Sequence, residues 1–170
     1  YEVCANINDV EYRSVLLRED YSLDAHALLQ AADQNTKVIW LCSPNNPTGV
    51  ALERSQVERV LTEFQGIVVI DEAYSDFSHQ RPFRLDLDLY PNLIVLNTMS
   101  KAWASAAIRL GMAFAGEQII EFFNKVKYPY NVNQLTCEQA KRILGQADSV
   151  ARWVGNIVSE RDKLAPALQE

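Results

Sequence analysis

Cysteine and histidine are scarce in this sequence, and long apolar runs are missing. The three cysteines, Cys4, Cys42 and Cys137, are odd in number and widely separated. They fit neither a disulfide framework nor a zinc site, and buried thiols in a reducing cytoplasm are the expectation. The two histidines, His26 and His79, lack a metal-ligand spacing and are expected at the surface. No apolar stretch approaches the roughly 18 residues that a membrane span needs. Tyr1-Glu2-Val3-Cys4 has neither the basic start nor the apolar core of a signal peptide. No basic run occurs, and the net charge of −6 argues against nucleic acid or an anionic membrane surface as a partner. No G-x-x-x-x-G-K-S/T or G-x-G-x-x-G opens a helix, which argues against a nucleotide-binding module.

What is present is an ordinary globular balance, 48% hydrophobic and 22% charged over 170 residues, enough for one core. Lys37–Cys42, Ile67–Asp71 and Leu93–Asn97 are near-continuous in apolar residues, as strands of a sheet covered on both faces require. Val10–Leu16 alternates and reads as an edge strand, and Leu110–Ala115 is a weaker strand. Ala25, Leu28, Leu29 and Ala32 follow helical spacing, as do Val57, Val60, Leu61 and Phe64. Glu117–Val126 predicts a third helix. Val150, Val154, Ile157, Val158 and Leu164 predict a long one that Pro166 bends or ends. The alternation of strand and helix predicts an α/β fold with a mainly parallel sheet.

Ligands of open α/β sheets bind beyond the carboxyl ends of the strands. Three polar clusters stand there: Ser43-Pro44-Asn45-Asn46-Pro47-Thr48-Gly49, then Asp71-Glu72-Ala73-Tyr74, then Thr98-Met99-Ser100-Lys101 with Arg109 eight residues on. Singly, each has a plain structural explanation. SPNNPTG is rich in turn formers, Asp71 can cap the segment after it, and Lys101 can be a solvated lysine. Three such clusters at successive strand ends weaken those explanations together, because parallel strands would deliver them to one edge.

SPNNPTG, DEAY and T-x-S-K-x7-R, in this order and at these intervals, resemble the fold-type I pyridoxal phosphate (PLP) aminotransferases. The longer strings LCSPNNPTG, VVIDEAYSDF and NTMSKAWASAAIRLGMAFA are most similar to the histidinol-phosphate aminotransferase family. The resemblance covers essentially the whole chain and implies the three-layer α/β/α large domain of that fold, incomplete here. It implies PLP as cofactor, with Lys101 as the Schiff-base lysine and the catalytic acid and base. Asp71 would face the pyridine nitrogen and keep the ring an electron sink. Tyr74 and Asn46 would bind the ring's 3-oxygen, and Thr98, Ser100 and Arg109 the phosphate. Burial and the nearby Arg109 would keep a freed Lys101 amine neutral. The implied reaction passes an amino group from glutamate to imidazole-acetol phosphate, in the cytoplasm, within a homodimer.

The resemblance also predicts gaps. In the family, a Gly-rich phosphate turn and a ring-stacking aromatic precede the position of Tyr1, which is not a secure substitute. A substrate-carboxylate arginine lies downstream. Two sheet strands are also expected upstream, one of them between Val10–Leu16 and Lys37–Cys42. Val10–Leu16 is therefore expected to be displaced, or another chain to complete the sheet, because an unfilled gap leaves backbone groups unpaired. The expected division is a cofactor-binding domain over residues 1–128 and C-terminal helices over 129–170 leading to a small domain. Tyr128 and Tyr130 are expected to pack beside Pro129, and Arg81–Tyr90 to be a surface loop. The competing readings are a decarboxylase of threonine phosphate and a catalytically inert piece that only binds or dimerises.

Overall fold

The computed structural model describes residues 1–168. Four strands form one sheet in the order β1 (Val38–Cys42), β2 (Ile67–Asp71), β3 (Leu93–Thr98) and β4 (Gly111–Ala115). The first three are parallel; β4 runs antiparallel to β3, pairing Thr98 with Gly111 and Ile94 with Ala115. Helices α1 (Glu2–Ile7), α2 (Ala25–Ala31) and α3 (Arg54–Glu63) accompany the parallel strands. Helices α4 (Glu117–Val126), α5 (Gln134–Leu144) and α6 (Ala147–Ala167) follow the sheet. The apolar patterns thus predicted all four strands of this sheet, and Pro166 falls within the last turns of α6.

The two faces of the sheet differ. Strand side chains alternate, so Ile39, Leu41, Val68, Ile70, Leu93 and Val95 project to one side, where they are buried. The buried Val57, Val60 and Leu61 of α3 join them in one core with Leu23, Ala25 and Phe83. Each such fully buried aliphatic side chain contributes about 1.5–3 kcal/mol. On the other side stand Trp40, Cys42, Val69, Asp71, Ile94, Leu96, Thr98, Gly111 and Ala113. Trp40 is 42% exposed, and Gly111 and Ala113 are exposed. The expectation of a sheet covered on both faces therefore holds only in part, since Val69 and Ile94 on this second face are buried as well. The α2/α3 face is sealed throughout, whereas the face that carries Asp71 is buried at the Val69–Ile94 pair and open at Trp40, Gly111 and Ala113.

Val10–Leu16 is not a strand. It forms no ladder, and Val10, Tyr12 and Leu16 are exposed. Its anchor is Arg13, which pairs with Glu11 at 2.7 Å and with Asp33 at 2.9 Å. Alternation supports a strand only where a neighbour accepts its hydrogen bonds, and none lies beside β1 on that edge among the described residues. The displacement anticipated for this segment is what the structure has, and the sheet is four-stranded rather than seven-stranded.

Three further expectations are corrected. Cys4 and Cys137 are exposed and Cys42 is half-buried, so the thiols are not core residues; Cys4 lies on α1, none of whose residues is buried. Tyr128 and Tyr130 are 83% and 96% exposed and do not pack. Arg81–Tyr90 is not simply a surface loop: Phe83 and Asp86 within it are buried, one opening and the other closing a 3-10 turn (Phe83–Leu85). His26 and His79 are at the surface as expected.

Gly66 marks where β2 begins beside the end of the α3 segment. A Cβ there would lie 2.5 Å from the Lys37 carbonyl oxygen and 2.6 Å from the Phe64 ring. That carbonyl accepts the Ile67 N–H at 2.9 Å, opening the β1–β2 ladder. Gly66→Ala is therefore expected to destabilise the fold by roughly 1–3 kcal/mol, the usual range for overpacking. A lower urea midpoint with unchanged slope would show it.

Candidate active site

Each strand-end cluster is built locally before it meets the others. After β1, the SPNNPTG segment folds back on itself. Gly49, at φ +72°, donates to the Asn45 carbonyl at 2.7 Å, and Asn45 N–H reaches Val50 O at 2.9 Å. The Ser43 hydroxyl, buried, accepts the Leu52 N–H at 3.0 Å. Turn formation is thus part of what this motif does, and it leaves Asn46 exposed at the tip. At the end of β2, Asp71 Oδ1 accepts the Ala73 N–H at 3.0 Å, so the carboxylate does cap the following turn. Tyr74 then precedes a 3-10 turn (Ser75–Phe77).

After β3 the chain enters a compact turn. Thr98 Oγ1 accepts the Ser100 N–H at 3.1 Å and donates to Leu110 O at 3.3 Å. Met99 and Ala102 are buried on either side of Lys101. The Ala102 carbonyl receives the Trp153 indole N–H at 2.7 Å, which fastens α6 to this turn. Two buried neighbours thus fix the backbone while the Lys101 side chain stays exposed. Burial of that amine, expected from the resemblance, is not supplied by the described residues.

The clusters converge in part. Asn46 Nδ2 donates to the Tyr74 hydroxyl at 3.1 Å across 28 residues of sequence. Lys101 Nζ stands 5.1 Å from the centre of the Tyr74 ring, within cation–π range. Asn46, Tyr74 and Lys101 therefore form one group, from three different strand ends. Asp71 lies three residues before Tyr74 on the open face, and Thr98 and Ser100 immediately precede Lys101. Arg109 is exposed and in the left-handed region, at φ +53°; its Nη1 donates to Ala106 O at 3.0 Å. Its guanidinium thus turns to its own 3-10 turn (Ala106–Ile108), although the β3–β4 pairing keeps that turn beside Thr98.

Three residues that the motifs do not mark complete the surroundings. Tyr1 donates its hydroxyl to Asp71 Oδ2 at 2.8 Å and stacks on Trp40, with ring centres 4.6 Å apart. Trp153 holds the lysine turn from a distance of 51 residues. Trp40 was open to inference, since the two-residue period of β1 places it on the same face as Asp71. Nothing local marks Tyr1 or Trp153.

Behind the site, Glu72 is 2% exposed and points into the protein. Its carboxylate accepts the Phe83 N–H and pairs with Arg84 at 3.3 Å. Burial raises its pKa, against the opposing pull of the Phe83 N–H and Arg84. Glu72 thus ties the loop after Tyr74 to the strand end and takes no part in the open face. Two concavities, one of about 620 Å³ beside Ala107, Ile108 and Thr136 and one of about 450 Å³ beside Phe64 and Gly66, have none of Asn46, Asp71, Tyr74 and Lys101 in their walls.

The donor set fits one kind of group. It offers an exposed amine, a carboxylate with free lone pairs, a linked amide and phenol, and the Ser100 hydroxyl next to the amine. Residues 1–170 match the family Aminotransferase class I and II over their whole length. The chain belongs to the class I and II aminotransferases. PLP is the cofactor of that family. The chain is 56% identical over 164 residues to histidinol-phosphate aminotransferase of Bacteroides thetaiotaomicron, covering 96% of this chain and 47% of that protein. It is 55% identical over 170 residues to the enzyme of the same name from Bacteroides fragilis, covering 100% of this chain and 49% of that protein.

The chain thus spans about half the length of the curated relatives it matches. Among solved structures, histidinol-phosphate aminotransferase of Clostridium acetobutylicum superposes with a TM-score of 0.90 at 22% identity, over 99% of this chain and 52% of that one. The Sinorhizobium meliloti enzyme, in complex with pyridoxal-5'-phosphate, gives 0.86 at 22% identity, over 96% of this chain and 46% of that one. These likenesses establish the fold, a partial large domain of fold type I. L-threonine-O-3-phosphate decarboxylase of Porphyromonas gingivalis gives a lower TM-score, 0.71 at 28% identity, over 85% of this chain and 43% of that one. Among the described residues, no helix is long and apolar enough to cross a membrane.

Proposed function

We propose that these residues form the cofactor-carrying part of a histidinol-phosphate aminotransferase, which moves the amino group of L-glutamate to imidazole-acetol phosphate and yields 2-oxoglutarate and L-histidinol phosphate. The observation that carries this reading is the union of Asn46, Tyr74 and Lys101, drawn from three strand ends, beside the Asp71 carboxylate. PLP, when bound, supplies the electron sink that lets the substrate's α-proton leave. The residues do the rest. Lys101 would anchor the cofactor through its amine and, once freed, would carry the proton of the 1,3-shift, taking it from the α-carbon of the amino donor in the first half and delivering one to the α-carbon of the acceptor in the second. Asp71 accepts the pyridine N–H and keeps that nitrogen protonated. Tyr74 and Asn46, already hydrogen-bonded to each other, present a donor to the ring's 3-oxygen.

Ser100 and Arg109 hold the phosphate, Arg109 by swinging its fork away from the Ala106 carbonyl. Thr98, whose hydroxyl is engaged inside the turn, presents the Ser100 segment to that phosphate. Residues 1–128 make up the cofactor-binding domain and 129–170 the helices leading from it. The working assembly is a cytoplasmic homodimer with a phosphorylated small-molecule substrate.

The second reading, decarboxylation of threonine phosphate, draws on the weaker likeness to the Porphyromonas enzyme. Assay of the complete polypeptide that carries these residues separates the two. Glutamate-dependent formation of histidinol phosphate, without CO2 release from threonine phosphate, is the expected result. CO2 release without amino transfer would reverse the assignment.

A further inference from the structure

The open face of the sheet holds a contact that none of the roles above uses. Tyr1 donates its phenolic O–H to Asp71 Oδ2 at 2.8 Å, while Asp71 Oδ1 accepts the Ala73 N–H at 3.0 Å. The Tyr1 ring lies on the Trp40 indole, 4.6 Å between centres and 25° between planes. Register explains how one side chain reaches both. Trp40 pairs with Val69 and Cys42 with Asp71, so Trp40 and Asp71 share a face one strand apart and two residues along. The indole fixes the ring, and the ring delivers the hydroxyl.

A carboxylate has about four acceptor positions. Here one on each oxygen is taken by a fixed donor, one from the backbone and one from a braced aromatic. The plane of the carboxylate is thereby set, and an acceptor position is left on each oxygen. Burial, followed by the hydrogen bond to Asp71, raises the Tyr1 phenol well above the usual tyrosine range, so it remains a donor at neutral pH.

We propose that Tyr1 is a positioning residue for Asp71, holding its carboxylate in the plane in which it receives the protonated pyridine nitrogen of PLP. The proposal rests on Asp71 being the partner of that nitrogen. Tyr1 acts through the carboxylate, as a fixed donor behind a ligating group orients and tunes it.

Tyr1→Phe removes the donor and keeps the stack on Trp40. The test uses the complete polypeptide, titrated with PLP by absorbance, and with 15N-labelled PLP by NMR to read the pyridine nitrogen. Tyr1→Phe is expected to weaken PLP binding roughly tenfold, the scale of one lost hydrogen bond to a charged group, and to shift the 15N resonance. In an Asp71→Asn background the same substitution is expected to have no further effect, which a merely structural tyrosine would not satisfy.

Unchanged affinity and resonance in Tyr1→Phe would overturn the proposal. Tighter binding would overturn it too, because the phenol would then be competing with the ring for Asp71. Both results leave Asp71 as the nitrogen partner standing. A wild-type protein that binds no PLP would sink both.

Discussion

Lys101→Ala is expected to abolish covalent capture of PLP. Borohydride treatment of the loaded wild-type protein should leave a pyridoxyl group on the peptide containing Lys101 and on no other. The variant should leave none. The expectation of a single site comes from what the lysines touch. Lys37 Nζ donates to Gln34 O at 2.9 Å at the far end of β1, and Lys163 pairs with Glu160 at 2.7 Å. Lys125 lies over the Phe122 ring on α4, which has no buried residue. Among the described residues, Lys101 Nζ has no hydrogen-bond acceptor and no ion-pair partner, only the Tyr74 face at 5.1 Å. It is the lysine that combines an uncommitted amine with a fixed backbone and a neighbouring phenol and amide.

Lys101→Arg is the matched control. It keeps a cation over Tyr74 but has no amine that can attack a carbonyl. Loss of the positioned base alone should slow amino transfer about 10²–10⁴-fold in either variant. Adducts spread over several lysines in the wild type, or an adduct that survives in Lys101→Ala, would remove Lys101 from its assigned role.

The strands and the lysine turn were legible in the sequence because their signals are local. Apolar runs in Ile67–Asp71 and Leu93–Thr98 fix buried strands wherever they stand, and SPNNPTG forms its turn with bonds inside itself. Val10–Leu16 misled because its alternation names a face, not a neighbour, and the neighbour is what makes a strand. Open exposure of Trp40 and Ala113 was hidden for the same reason: a run such as KVIWLC tells that both faces are apolar, not that something covers both. The Tyr1–Asp71 and Trp153–Ala102 bonds span 70 and 51 residues, and no periodicity encodes such a meeting. Arg81–Tyr90 reads as a solvated mixed-charge stretch because composition does not say which charges are paired, and there the pairing decides the structure.

That pairing carries the second large effect, the loss of stability expected from Asp86→Ala. The Asp86 side chain is 1% exposed and bonded to both Arg54 and Arg81. Arg54 also donates to Glu58 at 2.7 Å and to the Arg81 carbonyl at 3.0 Å, and it lies 4.3 Å over the Phe83 ring. One carboxylate thus holds α3 to the loop whose Phe83 N–H is anchored by Glu72, next to Asp71. Removing it should cost about 3 kcal/mol. That is the lower end for a broken buried pair, because both arginines retain a path to water.

The pH dependence identifies the cause. Burial pushes the Asp86 pKa upward, yet Arg81 and Arg54 outweigh it and hold the carboxyl below the usual aspartate range. A group depressed in the folded state stabilises fully above its unfolded pKa of about 3.9, and that stabilisation is lost as pH falls through the folded value. Glu72, raised by burial, has the opposite sign: its protonation in the folded state adds stability as pH falls towards its unfolded value. Both proteins keep Glu72, so its contribution cancels in the difference between them. Denaturant midpoints of wild type and Asp86→Ala should therefore differ most at neutral pH and converge below the aspartate range. A gap that stays constant down to acid pH would make the loss one of packed volume rather than of charge, and the two arginines would be neighbours of Asp86 rather than the reason it is buried.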